Sequence, residues 1–101
     1  MSEHLSEYTI KDGEGRDVTI TGELLSKLAE EHQPEARFPI NTEIVHLYKT
    51  GEGRYVLYQS FCFEDTDPHF HGIFEGTDPG QILSGIRFPT DAMKRVVEAA
   101  A

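Results

Sequence analysis

Basic residues are scarce in this chain of 101 residues: nine Lys and Arg stand against eighteen Asp and Glu, a formal charge of −9. Apart from Lys94-Arg95 the cations are scattered singly, whereas binding a phosphate backbone takes a cluster of them, so no direct contact with nucleic acid is expected. Cysteine occurs once, at Cys62, which rules out an intrachain disulfide and any zinc module built on several thiolates, and fits a reducing cytoplasm. Tryptophan is absent, and no apolar run approaches the roughly 18 residues a membrane span requires. The start of the chain, Met1 to Tyr8, lacks the apolar stretch of a secretion signal. Neither membrane insertion nor secretion is expected.

What remains has a globular balance, 38% hydrophobic and 27% charged, and its length suits a single domain, 1–101, with a loose N-terminus over 1–6. The strongest internal signal is an echo. Lys11-Asp-Gly-Glu-Gly-Arg-Asp-Val returns as Lys49-Thr-Gly-Glu-Gly-Arg-Tyr-Val. In each copy Gly-Glu-Gly separates two β-prone runs, which predicts a three-residue hairpin loop with Gly15 and Gly53 in the left-handed conformation. That loop length sets Ile10 against Val18 and Tyr8 against Ile20 in one hairpin. In the other it sets Leu47 against Leu57, Tyr48 against Val56 and His46 against Tyr58. A Gly-x-Gly loop that cradles phosphate leads into a helix, and both copies here lead into strands.

Between the hairpins, Thr21 as N-cap and the spacing of Leu24, Leu25 and Leu28 predict a helix from Gly22 to about Gln33, stopped by Pro34. An irregular connection from Pro34 to Thr42 would carry Phe38 and Ile40 to the core. After the long strand from Tyr55, the turn Asp65-Thr-Asp-Pro68 leads to a strand near His69 to Glu75. Asp78-Pro79 marks a short helix to Gly85, and a last helix follows Pro89-Thr90 with Met93, Val96 and Val97 on its apolar side. The expected fold is α+β, with an antiparallel sheet of about five strands in the order β-β-α-β-β-β-α-α and helices on one face.

Three segments, Ile20-Thr-Gly-Glu-Leu-Leu25, Thr42-Glu-Ile-Val-His-Leu-Tyr-Lys-Thr50 and Gly53-Arg-Tyr-Val56, resemble a family of small uncharacterised bacterial proteins. The resemblance covers about the middle half of the chain and implies a shared fold but no activity, and it does not extend to Phe61–Gly80.

The sharpest chemical pattern is His69-Phe-His71-Gly-Ile-Phe-Glu75. On a strand, positions 69, 71 and 75 share a face, and His-x-His neighbours can ligate one divalent metal with Asp67 or Glu75 as acidic partner. No other motif points to a cofactor. His46, two strands away at roughly 9–10 Å, is too far to join His69 on one zinc ion. Cys62 lies between Phe61 and Phe63 in a core strand, where a thiol is inert, and nothing in the pattern requires catalysis.

The competing feature is a surface. Tyr55, Leu57, Phe61 and Phe63 fall on one strand face, and Tyr48, Val56, Tyr58 and Cys62 on the other. Helices on one side hide only one set. The residues Tyr48, Tyr55, Tyr58, Phe61 and Phe63 therefore define an aromatic contact surface, unless the helices or the Pro34–Thr42 connection cover it. The leading expectation is a non-enzymatic binding or regulatory module acting on a protein partner or as a homodimer. The alternatives are a metal-binding protein or metal-dependent enzyme using His69 and His71, and, on charge alone, an acidic inhibitor of a nucleic-acid-handling machine.

Overall fold

The computed structural model describes residues 5–32, 41–63 and 70–100. Five strands come first: β1 (Ser6–Lys11), β2 (Asp17–His32), β3 (Asn41–Thr50), β4 (Tyr55–Phe63) and β5 (Phe70–Gly76). Two helices, α1 (Pro79–Gly85) and α2 (Asp91–Ala100), follow. The strands form one antiparallel sheet in the order β1-β2-β3-β4-β5, each paired with its neighbour in sequence. The α+β class and the antiparallel sheet are as expected. No helix among the described residues is long and apolar enough to cross a membrane.

Both hairpins close on the expected loops. Gly15 and Gly53 adopt φ of 80° and 82°, the left-handed region that a Cβ disfavours. The Asp12 amide donates to the Arg16 carbonyl (3.0 Å), and the Thr50 amide to that of Arg54 (2.8 Å). The Asp12 carboxylate ties down the first loop, accepting from the amides of Glu14 and Arg16 and from Arg16 Nε. Those bonds, the Arg16 amide first, hold its pKa below the usual 3.8. The pairs Ile10–Val18, Tyr8–Ile20, Leu47–Leu57, Tyr48–Val56 and His46–Tyr58 all form.

The helix expected from Gly22 to about Gln33 does not form in the described residues up to His32. That stretch is the second half of β2, which runs for sixteen residues and pairs with β3 from Gly22–Thr50 to His32–Asn41. The physical reason is a β-bulge. Leu24 pairs with Tyr48 and Ser26 with Leu47, leaving Leu25 as the extra residue. A bulge shifts the alternation of the strand by one. Leu24 therefore packs with Ile20 on one face, while Leu25 and Leu28 pack on the other. A bulged strand and one turn of helix can show the same apolar spacing, and pairing with β3 decides between them. The element order is accordingly five strands and then two helices. The Pro34–Ile40 part of the expected connection lies outside the described residues.

Both C-terminal helices begin as their caps dictate. The Asp78 carboxylate accepts from the amide of Gly80 (2.7 Å) with Pro79 in the first turn, and the Thr90 hydroxyl accepts from the Met93 amide (3.2 Å). They cover one face of the sheet, where Val45, Leu47 and Leu57 pack against Ile82, Ala92, Met93 and Val96. Within this layer Glu43 is fully buried. Its carboxyl accepts from Gln59 Nε2 (2.7 Å) and from the Thr90 hydroxyl (2.5 Å), linking β3 and β4 to the start of α2. The buried polar group is thereby partnered.

The opposite face, here the inner face, carries Tyr48, Val56, Tyr58 and Ile73. It is covered by the first hairpin. Residues Asp17–Thr21 of β2 run beyond the end of β3, whose pairing begins at Gly22. This overhanging hairpin folds back so that Ile10, Val18 and Ile20 pack on Tyr48, Val56 and Tyr58. Its turn reaches β5, where a methyl group on Gly13 would lie 3.5 Å from the His71 carbonyl oxygen. The fold-back pivots on Gly22, whose position against Lys49 and Thr50 leaves no room for a side chain.

Candidate functional site: the cleft beneath the first hairpin

Strand alternation places His46 and Tyr48 of β3, Tyr58 of β4 and His71 of β5 together on the inner face. The Tyr48 hydroxyl is 2.8 Å from His46 Nδ1, and the Tyr58 hydroxyl is 2.9 Å from His71 Nδ1. The Tyr58 ring lies 6.0 Å from that of His46 and stacks on that of His71 at 6.1 Å. Tyr8 of β1 closes over Tyr48 with ring centroids 4.9 Å apart.

Burial, reinforced by the neighbouring Tyr8 and Tyr58, pushes the Tyr48 phenol up to about 12. Its hydroxyl keeps its proton at neutral pH and shares a hydrogen bond with His46 Nδ1. Burial also lowers His46 below the usual 6.5, with the Lys27 ammonium adding to the effect. His46 is therefore neutral at pH 7, with one ring nitrogen able to accept and the other to donate. The cluster is a set of mutually satisfied hydrogen bonds beneath the hairpin.

Beside this cluster the hairpin and the sheet do not close completely. A cavity of about 270 Å³ is lined by Asp12, Val18, Ile20, Val56, Ile73 and Glu75. An open cleft of about 480 Å³ adjoins it, lined by Val18–Thr21, the β3–β4 turn with Glu52 and Arg54, and Val56 and Glu75. Its floor is aliphatic. Glu52, Arg54 and Glu75 make no ion pair among the described residues.

The residues singled out in the sequence divide between several places. Tyr48 and Tyr58 lie on the inner face at 2% and 9% exposure. Tyr55 packs beside the helices on the other face. Phe61 pairs with Phe70 of β5 at 5.7 Å, near the far end of the sheet. The side chain of Phe63 lies outside the described residues. The cover over Tyr48 and Tyr58 comes from the first hairpin, rather than from either element weighed in the sequence.

Of the metal-ligand set, His71 and Glu75 share the inner face, with His71 bonded to Tyr58. His69 and Asp67 lie outside the described residues. Among the described residues no group of three or more His, Cys, Asp or Glu is disposed to hold a metal ion. Cys62, alongside, is half-buried.

Sequence reasoning missed Val18, Ile20 and Arg54 as cleft residues and His46 as the partner of Tyr48. For the histidine a signal was present, because a His-x-Tyr step on a strand places both rings on one face. The cleft has no local signal, since it arises from the fold-back of the hairpin.

No protein-family model matches the chain, and no curated protein and no solved structure shows significant similarity to it. These comparisons neither strengthen nor weaken the resemblance to the small bacterial family.

Proposed function

We propose that this chain is a non-enzymatic binding module that takes a segment of a protein partner in the cleft between the first hairpin and the inner face of β4 and β5. The observation that carries this reading is the cleft itself. Its volume of about 480 Å³ and its floor of Val18, Ile20 and Val56 meet the ordinary description of a recognition site, a mainly apolar hollow with a few polar groups at its edge. Glu52, Arg54 and Glu75 supply those polar groups, and none is engaged in an ion pair among the described residues.

The adjoining His–Tyr cluster favours binding over catalysis. Its hydroxyls and imidazoles are spent on each other, and the Tyr48 phenol is pushed away from, not toward, the ionised form a nucleophile or base would need. Tyr48 and Tyr58 contribute by supporting the wall of the cleft, and direct contact with a partner or with a second copy would require the hairpin to lift.

Amide NMR of the labelled protein against a library of short peptides and small amphiphiles tests this. Shifts gathered on Val18–Thr21, Val56 and Glu75 are expected for at least one peptide. A library that produces no shifts, or shifts confined to the helices, overturns the reading.

A further inference from the structure

Val18, Thr19, Ile20 and Thr21 all line the cleft. Side chains of consecutive strand residues point to opposite faces, so four in a row can border one hollow only where the backbone edge of the strand faces it. That edge belongs to the part of β2 that overhangs β3.

The hydrogen-bond phase says which groups lie on it. The Asp12–Arg16 backbone bond fixes the alternation of the first hairpin, so that Val18 and Ile20 direct their amides and carbonyls to β1, and Asp17, Thr19 and Thr21 direct theirs away from it. Thr21 conforms: its carbonyl accepts from the Gly51 amide of the β3–β4 turn (3.2 Å). Among the described residues the ladder has no further partner strand beyond Thr21. The backbone groups of Thr19 and Asp17 present an open edge in line with β3, beside an apolar floor.

We propose that this edge receives an extended peptide strand from a partner protein, added antiparallel or parallel to Asp17–Thr21 as an interrupted continuation of β3, with an aliphatic side chain on Val18, Ile20 and Val56 and a Lys or Arg beside Glu75 and Glu52. This rests on the binding-module reading and names its partner. Strand addition supplies affinity through main-chain bonds and specificity through alternate side-chain sites, which matches an edge flanked by a hollow. Charge selects the basic residue. Two carboxylates against one guanidinium line the cleft, and the chain as a whole carries −9. The edge is short, so the expected affinity is modest, that of a weak, transient contact.

The test uses three capped pentapeptides and the full chain. One alternates valine and threonine between terminal lysines, the second carries glutamates in place of the lysines, and the third repeats the first with its central amides N-methylated. The expected result is binding of the first peptide, with shifts and slowed amide exchange at Asp17 and Thr19. The other two should bind at least tenfold more weakly. E75K should reverse the preference between the lysine and glutamate peptides, and T19P should abolish binding while the melting curve shows a folded protein. Since T19P alone could unfold the hairpin, E75K keeps the proposal open to refutation. Equal binding of the N-methylated peptide, or an unchanged charge preference in E75K, overturns strand addition. If the N-methylated peptide shifts the cleft residues as strongly as the first, strand addition fails and the binding-module reading stands; if only small amphiphiles shift them, both fail. If nothing shifts them, both fail.

Discussion

Replacing Gly22 with alanine distinguishes the observed strand from the helix its neighbouring leucines suggest, because the two structures predict opposite signs. In the first turn of an exposed helix, alanine in place of glycine stabilises by up to about 1 kcal/mol. In β2 the new Cβ would stand 2.9 Å from the Thr50 Cα and closer still to the Lys49 carbonyl oxygen. Both obstacles are backbone atoms, so no side-chain rotation relieves the collision. Either β2 or the β3–β4 turn must move, which would strain the Gly51–Thr21 hydrogen bond and the packing of Ile20 on Tyr48 and Val56. Inserting a methyl group into a well-packed site costs about 1–3 kcal/mol, and a purely backbone obstruction belongs at the upper end. For a domain of this size about 3 kcal/mol corresponds to a fall in Tm of roughly 10–25 °C. Thermal and urea unfolding followed by circular dichroism read this directly, and amide NMR would show the largest shifts at Thr21, Gly22 and Gly51. A G22A protein as stable as the parent, or more so, would refute the close crossing and with it the fold-back that forms the cleft.

Two further outcomes follow from the buried polar groups. Glu43→Ala leaves the Gln59 amide and the Thr90 hydroxyl without their carboxylate partner in the layer beneath α2, a loss of about 2–6 kcal/mol at about 1–3 kcal/mol per unsatisfied group. Urea denaturation should place it below Thr90→Ala, which removes the α2 cap at about 1 kcal/mol and one of the donors to the Glu43 carboxylate but leaves the Gln59 bond in place. The lowered pKa of His46 means that the unfolded chain takes up its proton at higher pH than the folded one. Its contribution to stability is complete above about pH 6.5, falls as the pH drops through the lower folded value, and is then constant. Melting temperatures of the parent and H46Q between pH 7.5 and 4.5 should converge toward the acid end. The Asp12 contribution belongs to a separate window below its usual 3.8, so the two are separable.

The parts of the fold that could be read from the sequence are those written in local chemistry. Gly-Glu-Gly dictates a hairpin with a left-handed third residue wherever it stands between β-prone runs, and the loop length then fixes every pair up the ladder. Asp78-Pro79 and Thr90 start helices because their side-chain oxygens meet free amides within three residues. Residues 22–32 were misread because their decisive partner is non-local. Leu24, Leu25 and Leu28 fit one helix face, and they equally fit a strand whose bulge at Leu25 turns the later leucine to the helix-covered side.

The candidate site was legible only in its ingredients, for a reason that also bears on how it works. The sequence separates Tyr48, Val56 and Tyr58 from Tyr55 and Leu57 onto opposite faces, and the two core clusters keep that division. What alternation cannot supply is the length of β2 left over once β3 has paired. That remainder, Asp17–Thr21, is set by the distance from the Gly13–Gly15 loop to the point where Gly22 meets Thr50. The same five residues cover the aromatic face and, among the described residues, have no partner strand on the edge away from β1 beyond the Thr21–Gly51 bond. A chain that buries its second sheet face with an overhanging hairpin necessarily exposes an edge of that hairpin beside the buried face. The hydrophobic cover and the open backbone edge are therefore two results of one register, and shortening the overhang would remove both together.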